Sequence, residues 1–248
     1  MFSIAGVYFD DVDFDGAVDA IERYISEGYP HQIVTANADF VVKAQKDREF
    51  REVLNSADMV VADGMSIVFA SKFLGNPLAE RVAGIDLALE LCRRSAEKGH
   101  RIFFLGAEES VGEKALKRLE AEYPGLNIAG YISPRFGGLS EKEEKEISQK
   151  IRESSADILL TCLTAGMQEK WIKRNMEHMG VPVCIGVGSF LDLVAGEFTR
   201  APEWMRKAGL EWFFRIIQKP DKLFKRYIID DSQFIFHVIC QKMGRKWV

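Results

Sequence analysis

An α/β fold with a mainly parallel sheet flanked by helices is predicted from three observations. Six short apolar runs rich in β-branched and aromatic residues recur along the chain, amphipathic stretches of helical period lie between them, and turn residues bound most of them. Alternation of this kind builds βαβ units, because parallel strands need a long crossover and a helix supplies it.

The opening "SIAGVYFDDVDFDGAVDAIERYISEG" reads as a short strand or hairpin leading into a first helix. "HQIVTAN" (31–37) and "DMVVAD" (58–63) are the next strands, and "DFVVKAQKDREFREVLNSA" is the amphipathic stretch between them. "RIFFLG" (101–106) precedes "ESVGEKALKRLEAEYPG", a helix stopped by Pro-Gly. "LNIAGYI" (126–132), "DILLTCL" (157–163) and "VPVCIGVG" (181–188) complete the set. The whole reads as a Rossmann-like core over residues 1–200, followed at 201–248 by a helical, basic and aromatic appendage.

Composition supports that division. The 248 residues, 47% hydrophobic and 28% charged, suffice for a large core. Net charge is only −4, but residues 201–248 hold 10 Lys/Arg against 5 Asp/Glu and residues 1–200 hold 23 against 32. The last segment also carries 9 of the 27 aromatics, a composition suited to an anionic membrane surface or to nucleic acid. The acidic body and the lack of a helix-turn-helix or RNP signature argue against nucleic acid. Cys92, Cys162, Cys184 and Cys240 form no CxxC pair, so neither a disulfide framework nor a zinc site is suggested and a reducing, cytosolic setting fits. The acidic N-terminus does not read as a signal peptide, and no apolar run approaches the roughly 20 residues of a spanning helix.

In an open parallel sheet, ligands bind beyond the carboxyl ends of the strands. Thr35, Asn37 and Asp39 come after the "IV" of the first of these six runs and Asp63 ends the second. Gly106, Gly186 and Gly188 take equivalent positions, where a missing Cβ lets backbone N–H groups approach a phosphate. No GxGxxG or P-loop is present, which weakens a dehydrogenase or NTPase reading. Each residue also has a plainer reading. Asp before Gly is commonly a turn or cap residue, Thr35 and Asn37 can cap the helix near Asp39, and Arg81 in "PLAERVAGIDL" can be a surface charge. Glu169 suits a first helical turn. "DVDFD" (11–15) has DxD spacing but precedes a helix, as a turn and cap would, and the four histidines show no ligand spacing.

Six blocks taken together are more specific. "TANADFVVKAQKD", "ADGMSIVFASKFLGNPLAERVAGIDL", "RIFFLGAEESVGEKALKRLEAEYPGL", "QEKWI", "GVGSFLDLVAGEFTRAP" and "GLEWFFRIIQKPDKLFKRY" occur in an order that resembles the WecG/TagA/CpsF family of bacterial glycosyltransferases. The resemblance implies inverting transfer of an N-acetylhexosamine-type sugar, N-acetylmannosamine or its uronic acid, from a UDP-sugar. The implied acceptor is a polyprenyl-diphosphate-linked sugar on the cytoplasmic face, in teichoic acid or related polysaccharide assembly. Asp63 matches the family's proposed base, with Thr35 beside it as a further catalytic position. Asn37, Arg81, Gln168 and Glu169 match substrate contacts, and Gly186, Gly188 and Asp192 match the nucleotide side, to which the strand-end position of Gly106 adds that glycine.

Inverting transfer needs a base for the acceptor hydroxyl and a counter-charge for the departing diphosphate. With no DxD motif at a strand end, metal-free stabilisation is expected, with no cofactor. The resemblance also implies that the appendage docks on an anionic membrane surface and closes over the active site, with Arg215, Lys222, Lys225 and Arg226 meeting the lipid diphosphate; a homo-oligomer is left open. The chain departs from the family pattern at Thr164–Met167, where a lysine is usual, at Ser189, and at Lys222, where arginine is common. Lys222 keeps the charge but not the bidentate fork of arginine.

Overall fold

The computed structural model describes residues 2–134, 140–218 and 231–244. Strands β1 (Phe2–Ile4) and β2 (Val7–Phe9) form an antiparallel hairpin. Its turn is Ala5-Gly6, both at positive φ. Helix α1 (Phe14–Glu27) follows, its N-cap Asp13 accepting from Gly16 N. The DxD-spaced acids are therefore a cap and, in Asp11, a turn contact to Ala79 N.

Six strands then build one parallel sheet: β3 (His31–Ala36), β4 (Met59–Ala62), β5 (Arg101–Gly106), β6 (Asn127–Ile132), β7 (Ile158–Cys162) and β8 (Val183–Gly186). Their order is β4-β3-β8-β7-β5-β6, and every neighbouring pair is parallel. Helices α2 (Ala38–Lys46), α3 (Arg48–Asn55), α4 (Met65–Leu74), α5 (Gly84–Lys98), α6 (Glu109–Glu122), α7 (Glu141–Glu153), α8 (Met167–Met179) and α9 (Phe190–Ala195) connect or flank them. Beyond the sheet lie α10 (Glu203–Lys207), α11 (Glu211–Gln218) and α12 (Asp231–Lys242).

The period-2 pleat explains why these strands read as unbroken apolar runs. Ile33, Val61, Phe104, Leu160 and Ile185 point to one face and pack with α1, α5, α6 and α9. Val34, Val60 and Ala62 point to the other, against α2, α3, α4 and the hairpin, while Phe103, Leu105 and Leu159 meet α7 and α8. With both faces covered, every position in β3, β4 and β7 is buried.

One expectation changes in detail. The stretch 39–57 is broken at Asp47, whose extended backbone ends α2 and whose carboxylate caps α3 through Phe50 N at 2.9 Å. The C-terminal segment is also tied closely to the core. Phe234 and Val238 of α12 belong to the cluster under α2 and the hairpin, and Gln241 accepts from Ala5 N and donates to Ser3 O, both at 2.7 Å. Among the described residues, no helix is long and apolar enough to cross a membrane.

Candidate active site

The site grows from the carboxyl edge of β3 and β4. Asp63 N donates to Ala36 O and Val82 N to Ala62 O, so the strand ladder continues past β4 and holds Asp63 between two backbones. Asn37 leaves β3 at the same level and caps α2 through Asp39 N at 3.1 Å. Helices α4 and α5 both start here, from Gly64 and Ala83, without a side-chain cap. Their first N–H groups therefore add positive potential at the strand ends.

These elements enclose a cavity of about 520 Å³. Asn37, Asp63, Arg81, Arg200, Glu211 and Arg215 line its polar side, and Met65, Phe69, Ile85, Trp212, Phe234 and Ile235 its apolar side. Burial pushes the Asp63 carboxyl up to about 7; Arg81 and Arg215 pull down, Glu211 pushes up and the Gly84 N–H pulls down. A carboxylate at that value exchanges protons near neutrality.

Around it lies an ion network. Arg81 pairs with Glu211 at 2.9 Å and with Asp86 at 3.7 Å. Arg200 forks onto Asp86, with one contact at 3.0 Å, and lies 3.9 Å from Glu211. Arg206 approaches Asp86 at 3.9 Å. Burial opposes the Asp86 charge, but the Arg200 hydrogen bond and the charges of Arg200, Arg81 and Arg206 hold its carboxyl below the usual range. The Nε atoms of Arg200 and Arg206 are buried with no hydrogen-bond partner. The Arg200 guanidinium lines the cavity, and a donor there without a hydrogen bond suits an anionic ligand.

The predicted residues divide into groups. Asp63, Asn37, Arg81 and Arg215 share the cavity; Arg215 also stacks its guanidinium 5.2 Å from the Phe198 ring centroid. Thr35 lies buried, outside the cavity lining, with its hydroxyl donating to Gly186 O at 3.1 Å. It packs under Gly84, where a Cβ would come within 2.7 Å of Thr35 Oγ1, so the glycine lets the start of α5 settle on Thr35.

Gln168 and Glu169 are buried in a separate polar knot. Gln168 Oε1 accepts from Leu163 N and Gly188 N, its Nε2 donates to Glu169 Oε1 at 2.6 Å, and Glu169 Oε2 accepts from Gly166 N at 2.7 Å. Burial raises the Glu169 carboxyl, against the pull of Gln168 and Gly166. Gly186 makes room for this knot, since a Cβ there would meet Gln168 Nε2 at 2.3 Å. Gly106, at φ +121, lets its chain approach Cys162 O. Their missing Cβ atoms thus make room for these close contacts. Gly188, at φ +53, faces open space, and Asp192 lies in the first turn of α9. At the divergent Thr164–Met167 turn, Lys43 Nζ donates to Ala165 O at 3.2 Å, bringing a cation from α2 to the place where the pattern lacks one. Lys222, Lys225 and Arg226 lie outside the described residues.

Sequence reasoning missed Asp86, Arg200, Arg206 and Glu211. Arg200, Asp86 and Glu211 lie within quoted blocks, yet Asp86 reads as an ordinary first-turn acid and nothing in the spacing shows that it meets Arg200.

A relative from Bacillus spizizenii, named N-acetylglucosaminyldiphosphoundecaprenol N-acetyl-beta-D-mannosaminyltransferase, is 32% identical over 86% of this chain and 81% of its own. Proteins of the same name from Bacillus subtilis and Staphylococcus aureus are 32% and 33% identical, over 82% and 86% of this chain and 78% and 83% of theirs. The family model described as "Glycosyl transferase WecG/TagA/CpsF family" matches residues 2–247, and the chain belongs to that family.

Proposed function

We propose that the chain is an inverting glycosyltransferase that moves N-acetylmannosamine, or its uronic acid, from a UDP-sugar to a polyprenyl-diphosphate-linked N-acetylglucosamine. The observation that carries this reading is Asp63: a carboxyl pushed up to about 7, in a cavity shared with three arginines. General bases work best when their pKa lies near the operating pH.

In this reading Asp63 takes the proton of the acceptor hydroxyl as its oxygen bonds to the anomeric carbon. The bond from that carbon to the UDP oxygen breaks, and its electron pair leaves on the diphosphate. Arg81, Arg200 and Arg206, with the bare N-termini of α4 and α5, are the groups suited to diphosphate charge, without a metal. Thr35 acts as a positioning residue: it supports Gly84, whose N–H holds Asp63. Gly188 and Asp192 are assigned to the nucleotide side, beside the Gln168–Glu169 knot. The exposed Trp204, Phe213 and Ile217 suit peripheral contact with an anionic membrane.

The test is product formation from UDP-N-acetylmannosamine and a short-chain polyprenyl-diphosphate-N-acetylglucosamine, with and without EDTA. Turnover that survives EDTA and is lost in Asp63→Asn is expected; undiminished transfer by that variant removes Asp63 from its role. A second reading, a nucleotide-sugar-binding protein with altered or lost transfer, rests on the divergent Thr164–Met167 turn. UDP-sugar binding without product from any acceptor would favour it.

A further inference from the structure

The cavity has an apolar wall that does not stop at its rim. Met65 and Phe69 supply one part from the start of α4, and Phe234 and Ile235 another from the start of α12. A spacing of four carries the α4 stripe on to Phe73, which is 53% exposed, as is Phe69. On α12, Phe234 and Val238 turn to the core while Ile235, Ile239 and the following Met243 turn out, at 61%, 44% and 55% exposure. The two helices run in the same direction. Met65, Phe69 and Ile235 meet at the cavity, and at the far end Lys242 Nζ lies 5.6 Å from the Phe73 ring centroid.

Two parallel apolar stripes, each about 12 Å long at helical rise, therefore lead outward from the arginines. Scattered exposed apolar side chains need no explanation, but a contiguous track does. The track is held in place at its far end, because Gln241 ties α12 to Ser3 O in β1 and to Ala5 N in the following turn.

We infer that this track holds the first isoprene units of the acceptor lipid, an inference that rests on the acceptor class proposed above. The charge distribution selects this occupant. Cations gather at one end, where Arg81, Arg200 and Arg215 line the cavity, and apolar side chains continue from there. A polyprenyl diphosphate has the same sequence of parts: an anionic group joined directly to a branched hydrocarbon. A nucleotide sugar has nothing for the apolar end. Seated this way, the lipid holds its diphosphate at Arg215, leaving Arg81 and Arg200 to the donor diphosphate, and its sugar toward Asp63, so the track sets acceptor selectivity by chain.

The test measures binding to the full chain without vesicles. Inorganic diphosphate, geranyl, farnesyl and geranylgeranyl diphosphate are titrated by calorimetry against the wild type and against Phe73→Ser combined with Ile239→Ser. Wild-type affinity is expected to rise about tenfold per added isoprene until the track is filled, then level off. The double variant is expected to lose that rise while keeping its affinity for inorganic diphosphate. It also keeps transfer to a single-isoprene acceptor. Phe73→Leu, a milder change, is expected to keep most of the rise. The same chain-length dependence in the double variant and the wild type overturns the inference. So does a double variant that keeps the chain-length dependence but, in a parallel assay, no longer sediments with anionic vesicles, which would make the face a membrane-docking surface. Chain-length-dependent binding without turnover on any acceptor would support the track while removing the transferase reading.

Discussion

Two regions at the same edge of the sheet handle buried polar groups in opposite ways. Beyond β7 and β8, Gln168 and Glu169 bond to each other and to the N–H groups of Leu163, Gly166 and Gly188. Beyond β3 and β4, Asp63 is held at about 7, Arg200 and Arg206 keep unpartnered Nε donors, and two helices begin uncapped. A closed network fixes loops; an incomplete one binds and reacts. The residues that look most like chemistry in the sequence are therefore split between a closed network and an open cavity.

The largest effect expected from breaking this contrast is at Asp63. Replacing a general base costs roughly 10²–10⁴ in rate, so Asp63→Asn should lose transfer by that factor in a product assay. The raised carboxyl gives a second signature. A pKa above the unfolded value means the folded state favours the protonated form. Stability is then full below about pH 4 and falls as pH rises toward about 7. Asp63→Asn should therefore be more stable than the wild type at pH 8, by on the order of a few kcal/mol in denaturant titrations. Wild-type turnover should rise through about pH 7 as the base ionises. A variant both inactive and destabilised at pH 8 would make Asp63 structural.

Next in size is Arg200→Ala, expected to lower kcat/KM by about ten- to a hundredfold, since a hydrogen bond to a charged group contributes roughly 1.5–3 kcal/mol. A loss confined to thermal stability would reduce Arg200 to a partner of Asp86. On the scaffold side, Gln168→Leu leaves Leu163 N and Gly188 N without their acceptor. It should cost about 1–3 kcal/mol in urea unfolding, with activity per folded molecule close to wild type. A collapse of turnover at unchanged stability would move Gln168 into the site. The smallest effect is at Gly188, where a Cβ meets open space but φ is +53. Gly188→Ala should cost about 1 kcal/mol, and a rise in KM for the UDP-sugar would support its place on the nucleotide side.

The C-terminal segment sharpens the same contrast. Its basic, aromatic composition reads as an appendage separable at residue 200. Yet Phe234 is 4% exposed and packs with the hairpin at the other end of the chain. Removing α12 should therefore destabilise the body, and truncation is a poor test of membrane docking. Phe213→Ser with Ile217→Ser, both exposed on α11, is the cleaner one, read by liposome sedimentation.

The sequence by itself determined the strands, their parallel arrangement and the edge where Asp63 and Asn37 emerge. Those signals are local: apolar runs buried on both faces, crossover-length helices between them, and polar residues where each run ends. Even Gly186 could be placed at a strand end, although its purpose could not, because the atoms it admits belong to Gln168 and Glu169 on another element. Only the tertiary structure decided that Arg81 meets Glu211 across 130 residues, that Arg200 forks onto Asp86, and that Thr35 supports the site from below. Side-chain periodicity records which face of an element is buried and not which charges the other elements bring to it, so ion pairs and cavities arise only when the layers pack.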